Sequence, residues 1–213
     1  MDGGKRCNTT HARFYSPLLV SPHVENGGLA VYIVSDEMQA MHGTLRLRVE
    51  KFDGKIVTER NVPVEIALLA SKPYLEIPME TLVPSRAIDP ATVFVAADLT
   101  VEGKIVSHNL IYLVPTRQIQ LPHARIAAML SRTGNSYRLS LASSLLAQDV
   151  YVSFGDLDAE VSDNYFDLLP GEPAAITITS HAEQDALQQQ MRVVSLVDAF
   201  PPAQIKTVGA MPK

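Results

Sequence analysis

The chain has 213 residues, enough for one large domain or for two of about 100 residues each. Its 46% hydrophobic and 19% charged residues exclude a disordered polypeptide, and a net charge of −5 without any dense Lys/Arg run gives no footprint for nucleic acid. Cys7 is the only cysteine, so an intrachain disulfide and a cysteine-rich metal site are both excluded.

The start, Met1-Asp2-Gly3-Gly4-Lys5-Arg6, lacks the apolar core of a signal peptide, and no apolar run reaches the roughly 18 residues of a membrane span. The piece therefore reads as soluble, with no membrane partner and its compartment left open. Asn8-Thr9-Thr10 is a formal glycosylation sequon.

Nearly every periodic segment has period two. Residues 29–34 form a short apolar run after Asn26-Gly27-Gly28 and predict a buried strand. Residues 44–49 alternate strictly, with Leu45, Leu47 and Val49 on one side, and Asp53-Gly54 supplies a hairpin turn. Glu102-Gly103-Lys104-Ile105-Val106 echoes Asp53-Gly54-Lys55-Ile56-Val57, which predicts two hairpins built alike. Pro63, Pro73, Pro78, Pro84 and Pro90 suit edge strands and connections, since proline cannot donate to a ladder. Residues 109–114 predict a strand stopped by Pro115.

Beyond Pro115, strands are predicted at 126–130, 137–141, 150–154 and 192–197, with a turn or two of helix in 182–190 and a loop or short helix in 143–148. In Ser162-Asp163-Asn164-Tyr165-Phe166-Asp167-Leu168-Leu169-Pro170-Gly171-Glu172, Phe166 and Leu168 alternate with Tyr165 and Asp167. Pro170-Gly171 fits a type II turn, and Ile176 and Ile178, alternating with Thr177 and Thr179, read as the return strand of a hairpin. About seven strands in the first half and six or seven in the second, without βαβ units, predict an all-β chain of two packed sandwiches.

Candidates for chemistry are few. His11, His23, His42, His108, His123 and His181 never fall at i+2, i+3 or i+4 of one another, so no local metal-ligand spacing exists, and neither a metal nor a cofactor is expected. Gly-x-Ser-x-Gly and phosphate-cradling loops are missing. Asp163 and Asn164 suit an Asx-type turn, and Asp167 reads as the solvent-facing member of its strand. Trp is absent, which leaves Tyr74, Tyr137, Tyr151 and Tyr165 as stacking platforms for a sugar; Tyr165 is also a candidate corner tyrosine.

The stretch Ser162 to Glu172 closely resembles a signature in the last domain of family 2 glycoside hydrolases of the β-mannosidase type. Arg13-Phe14-Tyr15-Ser16-Pro17-Leu18-Leu19-Val20-Ser21 is similar to that family's entry into its first post-barrel domain. Val34-Ser35-Asp36, Gly43 to Val49 and Phe52-Asp53-Gly54-Lys55 resemble its next strands, and Val194-Ser195-Leu196-Val197-Asp198-Ala199 its last.

The resemblance implies two tandem immunoglobulin-like β-sandwiches, at 12–115 and 116–213, after a linker or disordered segment at 1–11. The parent would be a retaining exoglycosidase acting on terminal β-D-mannosides with two carboxylates about 5–5.5 Å apart. Those carboxylates sit on a β/α barrel that takes about 250 residues by itself. The family's acid/base glutamate follows an asparagine, and no Asn-Glu dipeptide occurs here, so no catalytic residue carries over. Ser162, Asp163, Asn164, Tyr165, Phe166, Asp167, Leu168, Pro170, Gly171 and Glu172 are implied to be structural. The implied partners are the parent's catalytic barrel and amino-terminal domains, with a weak mannoside contact as a further one. The alternative is a carbohydrate-binding or protein-interaction module without catalysis.

Overall fold

A computed structural model describes residues 16–83 and 88–199. Cys7, the Asn8 sequon, His11, Arg13 to Tyr15, Pro84 and the linker expected at 1–11 lie outside the described residues. Seven strands come first among them: β1 (Leu18–Glu25), β2 (Gly28–Ser35), β3 (Met41–Lys51), β4 (Ile56–Ile66), β5 (Ala70–Pro78), β6 (Val93–Val101) and β7 (Lys104–Tyr112). They pair antiparallel into one sheet of order β1-β2-β5 and another of order β4-β3-β6-β7. A short helix, α1 (Met79–Leu82), follows β5.

Seven more strands follow: β8 (Ala127–Thr133), β9 (Ser136–Ala142), β10 (Ala147–Ser153), β11 (Ala159–Val161), β12 (Phe166–Leu168), β13 (Ala174–Ser180) and β14 (Arg192–Val194). Their sheets are β12-β10-β14 and β11-β13-β9-β8, again antiparallel. Helix α2 (Gln184–Gln190) links β13 to β14. The chain is thus all-β, two sandwiches in tandem.

Each core follows the strand period. Leu45, Leu47 and Val49 of β3 point between the first two sheets, against Val31 and Ile33 of β2 and Val95 and Leu99 of β6. In the second sandwich Leu139, Leu141, Val150, Val152, Ile176 and Ile178 do the same, and α2 adds Leu187. One side of the first sandwich is closed by side chains, not by a ladder. The Val20 N–H donates to Ser107 Oγ (3.0 Å), and Asn109 Nδ2 donates to the Val20 carbonyl (3.2 Å).

The strand pattern differs from the sequence expectations in three places. Phe166 to Leu168 does not form a hairpin with Ala174 to Ser180: β12 pairs with β10, whereas β13 pairs with β9 and β11. The Pro170-Gly171 turn therefore carries the chain from one sheet to the other. The two echoing hairpins also close differently. Lys51 to Lys55 is a three-residue loop, while Glu102 and Gly103 are both left-handed between the paired Val101 and Lys104. The last strand stops at Val194 because Ser195 Oγ and N–H both bind Asp198 Oδ2 (2.8 Å each), which caps a 3-10 turn over Leu196–Ala199. Residues 143–146 form the loop that the sequence allows there, and β10 begins at Ala147.

Ser107→Ala leaves the fully buried Val20 N–H without its acceptor. A loss of about 1–3 kcal/mol is expected in urea unfolding with an unchanged m-value; no loss would mean that the Ser107 bond does not hold β1 to β7.

Candidate functional site at the joint between the sandwiches

Strand β6 is buried on both faces. Val95, Ala97 and Leu99 enter the first core, yet Phe94 and Ala96, on the opposite face, are also 0% exposed. What covers them comes from the second sandwich. Leu146 and Leu169 close over Phe94 and Ala96, with Phe52 from the β3–β4 loop and with Leu110, Tyr112, Ile119 and Leu121 around the rim. The rings of Phe52 and Phe94 stack at 6.4 Å with planes 8° apart. Exclusion of water from these faces drives the contact, and hydrogen bonds orient it. The Leu146 N–H donates to the Phe52 carbonyl (2.8 Å), and Tyr112 Oη donates to Asp167 Oδ2 (3.2 Å). Gln120 binds back to the Ala91 carbonyl through its N–H and to Asp89 Oδ2 through Nε2 (2.9 Å each), tacking the connection onto the first sandwich.

The segment Ser162 to Glu172 builds the other half of this joint. Ser162 continues the pairing of β11 with β13, its N–H donating to the Thr177 carbonyl and its Oγ accepting from the Thr177 N–H (2.9 Å each). Asp163 is buried. Asn164 clamps β10 with both ends of its amide: Oδ1 accepts from the Val152 N–H (2.7 Å), and Nδ2 donates to the Val152 carbonyl (3.1 Å). A side chain thus supplies the ladder partner that β12 is too short to provide. Tyr165 is left-handed (φ +59°), with its N–H on the Val150 carbonyl (2.8 Å). Phe166 and Leu168 then enter the second core.

Asp167, expected to face solvent, is half-buried and spans the joint: Oδ2 takes the Tyr112 phenol and Oδ1 takes the Asp149 N–H (2.9 Å). Leu169-Pro170-Gly171-Glu172 is the type II turn the sequence predicts. Gly171 has φ +70°, and the Glu172 N–H donates to the Leu169 carbonyl (3.2 Å). Pro170 lies against Gly54, where an added Cβ would come within 3.0 Å of the proline ring.

Beside the apolar cover runs a charged row on the same sheet face. Arg48 Nη2 binds Asp98 Oδ2 (3.1 Å), Arg48 Nη1 lies 2.6 Å from Glu50 Oε1, and His108 Nδ1 lies 2.5 Å from Asp98 Oδ1. Arg48, Glu50 and Asp98 are all buried. Burial pushes the Glu50 carboxyl above its ordinary range; Arg48 opposes this, while Glu172 and Asp98 add to it. Burial likewise raises Asp149, and it holds the Tyr112 phenol far above its usual range, so that the phenol stays a donor to Asp167.

Of the carboxylates in this stretch, Asp163 is buried, Asp167 ties the two sandwiches, and Glu172 ends the turn. Among the described residues no three His, Cys, Asp or Glu side chains are placed to hold a metal. His42 lines an open hollow of about 500 Å³ with Glu37, Met41 and Glu102, at the opposite end of β3 from Phe52.

The four candidate tyrosines divide. Tyr137 is buried and donates to the Ala182 carbonyl (2.8 Å), which is the role expected of Tyr165 as a corner residue. Tyr74 accepts from the Ala67 N–H (2.9 Å) beneath Lys72. Tyr165 is instead 67% exposed and packs on Tyr151, with ring centroids 5.1 Å apart. The joint residues Phe52, Phe94, Tyr112 and Leu146 escaped the sequence reading. The signal for Phe94 was the unbroken run Val93-Phe94-Val95-Ala96-Ala97, which alternates nowhere and so marks a strand covered on both faces.

Asn164→Ala is expected to cost about 1–3 kcal/mol, since it strands both the N–H and the carbonyl of Val152; chemical denaturation measures it, and a neutral result would remove the clamp from the account. The sign of the Glu50 effect is also fixed. A raised carboxyl in the folded state contributes stability below its ordinary value of 4.5, and this is lost as pH rises through the raised value. Melting temperatures of wild type and Glu50→Gln, compared from about pH 4 to neutrality, should shift steadily in the variant's favour. A constant difference would mean that Glu50 titrates normally.

Residues 27–118 match the model of the mannosidase Ig/CBM-like domain, and residues 121–199 match that of the mannosidase Ig-fold domain. Comparison with curated proteins returns no match. Among solved structures, the chain is similar to the β-D-mannosidase of Dictyoglomus thermophilum, with a TM-score of 0.68 and 22% identity over 86% of this chain and 22% of that one. It is also similar to the exo-chitosanase CsxA of Amycolatopsis orientalis, with a TM-score of 0.54 and 17% identity over 86% of this chain and 26% of that one. The chain thus spans about a quarter of the length of these relatives, and at such identities the likeness is one of fold. Two domain models in tandem, each laid over one sandwich, place the chain among the immunoglobulin-like domains of mannosidase-type glycoside hydrolases.

Proposed function

We propose that the chain is the non-catalytic carboxy-terminal sandwich region of a larger family 2 enzyme of the β-mannosidase type, whose barrel hydrolyses terminal β-D-mannosides. In this role it packs against the barrel and the amino-terminal domains and supports them. The observation that carries the proposal is the pair of domain matches, in order and on adjacent sandwiches, together with a likeness of fold to a β-mannosidase over 86% of this chain. The joint is consistent with a support: apolar contacts and directional hydrogen bonds hold the two sandwiches together, and Asp167 of the signature is one of the groups that bond across it.

The isolated chain is expected to leave a chromogenic β-mannoside uncleaved. Antiserum raised against it should detect a native product several times larger than 23.3 kDa that co-purifies with β-mannosidase activity. A native band at 23.3 kDa, or turnover by the isolated chain, would overturn the proposal.

A further inference from the structure

Most features of Ser162 to Glu172 are accounted for by the joint, but Tyr165 is not. Five non-glycine residues among those described have left-handed backbone: Asn26, Leu69, Glu102, Asp149 and Tyr165. Asn26 and Glu102 sit in two-residue hairpin loops, where that conformation is what the turn requires. Tyr165 is the aromatic member of the five, and a left-handed bulky side chain is an outlier that the surrounding structure must hold in place. Here the Asn164 amide on Val152 and the Tyr165 N–H on the Val150 carbonyl hold it. The strain does not bury the ring: it leaves Tyr165 67% exposed, packed on a Tyr151 that is itself 36% exposed, with the ring planes tilted by 31°.

Pairing across the sheet extends the patch. Tyr151 lies opposite Val194, which is also exposed, and Ser153 lies opposite the exposed Arg192. By the two-residue period of strands, Ser153 and Arg192 share the face of Tyr151 and Val194, so hydrogen-bonding groups border the rings on one side. The apolar area is small. At the 150–250 Å² that an aromatic side chain presents, the exposed parts of Tyr165, Tyr151 and Val194 sum to about 250 Å². A stable protein–protein contact covers roughly 800 Å² per partner. The patch suits a ring-sized occupant.

We propose that Tyr165, backed by Tyr151, presents its outer ring face as a stacking platform for one pyranose ring of a β-linked saccharide, with Ser153 and Arg192 positioned for its hydroxyls. The choice of saccharide rests on the proposed role in a glycosidase; the platform itself rests on the geometry. The ring face meets the C–H side of the sugar, and the flanking groups meet its edge.

The test is a titration of the full chain with β-1,4-mannotriose and with a β-1,4-linked glucosamine trimer. Because the chain has seven tyrosines and no tryptophan, its emission reports tyrosine directly, and amide chemical shifts locate the site. Millimolar binding is expected, with shifts centred on Tyr151, Tyr165 and Val194. Tyr165→Asn, which keeps a residue tolerant of the left-handed backbone, should weaken binding about tenfold or more without lowering the melting temperature, and Tyr165→Phe should retain it. No shift at about 20 mM of either saccharide, or undiminished binding by Tyr165→Asn, overturns the platform. If saccharides do not bind but Tyr165→Asn weakens association with a β-mannosidase barrel added in trans, the face is a protein contact; the platform falls while the glycosidase assignment stands. Binding by a chain whose native product is only 23.3 kDa would leave the platform standing and remove the assignment.

Discussion

Everything that makes these two sandwiches one object depends on β6 having no solvent face. A strand whose two faces carry Val95, Ala97 and Leu99 on one side and Phe94 and Ala96 on the other must be covered twice. The second cover is the rim of the other sandwich, through Leu146 and Leu169. Apolar burial sets the affinity of that contact but not its angle, because the hydrophobic effect has no direction. The angle comes from the bonds that cross it, Leu146 to Phe52 through the backbone and Tyr112 to Asp167 through side chains.

The charged row beside the joint acts in the same directional sense. Arg48, Glu50, Asp98 and His108 lie on the outer face of a sheet, where such residues usually meet water, yet the first three are buried. Desolvation offsets most of what their attraction contributes, so the row adds little net stability. Its geometry is nevertheless demanding. A slip of β3 against β6 by one residue would turn Arg48 into the core and leave Asp98 without its cation. The Glu50 carboxyl is raised chiefly by its burial; Arg48 opposes the rise, and a second carboxylate, Glu172 of the other sandwich, adds to it.

The stretch from Ser162 to Glu172 is dense in function for its length because each residue answers to a different neighbour. Asn164 replaces a missing ladder partner, Phe166 and Leu168 fill the second core, Asp167 and Leu169 reach the first sandwich, and Pro170-Gly171 changes sheets. Tyr165 points away from all of them, at the cost of a strained backbone. Its backbone is held against its own preference by Asn164 and Val150, while its ring lies outward on Tyr151, which is where the proposed ligand contact sits.

The amino-acid sequence by itself determined whatever depends on near neighbours along the chain. The alternation of Leu45, Leu47 and Val49 and of Ile176 and Ile178 specified strands and their inner faces, and Pro170-Gly171 specified its turn, because period and dihedral preference are local properties. The wording of Ser162 to Glu172 was legible too, as was the all-β class. Only the tertiary structure decided which strands meet. The local pattern of Phe166 to Leu168 is the same whether its partner is β13, as the hairpin reading has it, or β10, as the fold has it. The same limit hid the site. Asp167 alternates as a solvent-facing residue should, and Arg48 as a surface cation should; the first is bonded by Tyr112 of the other sandwich and the second is buried on the outer face of its sheet. Burial is a property of what lies opposite in space, and no period within one strand records it.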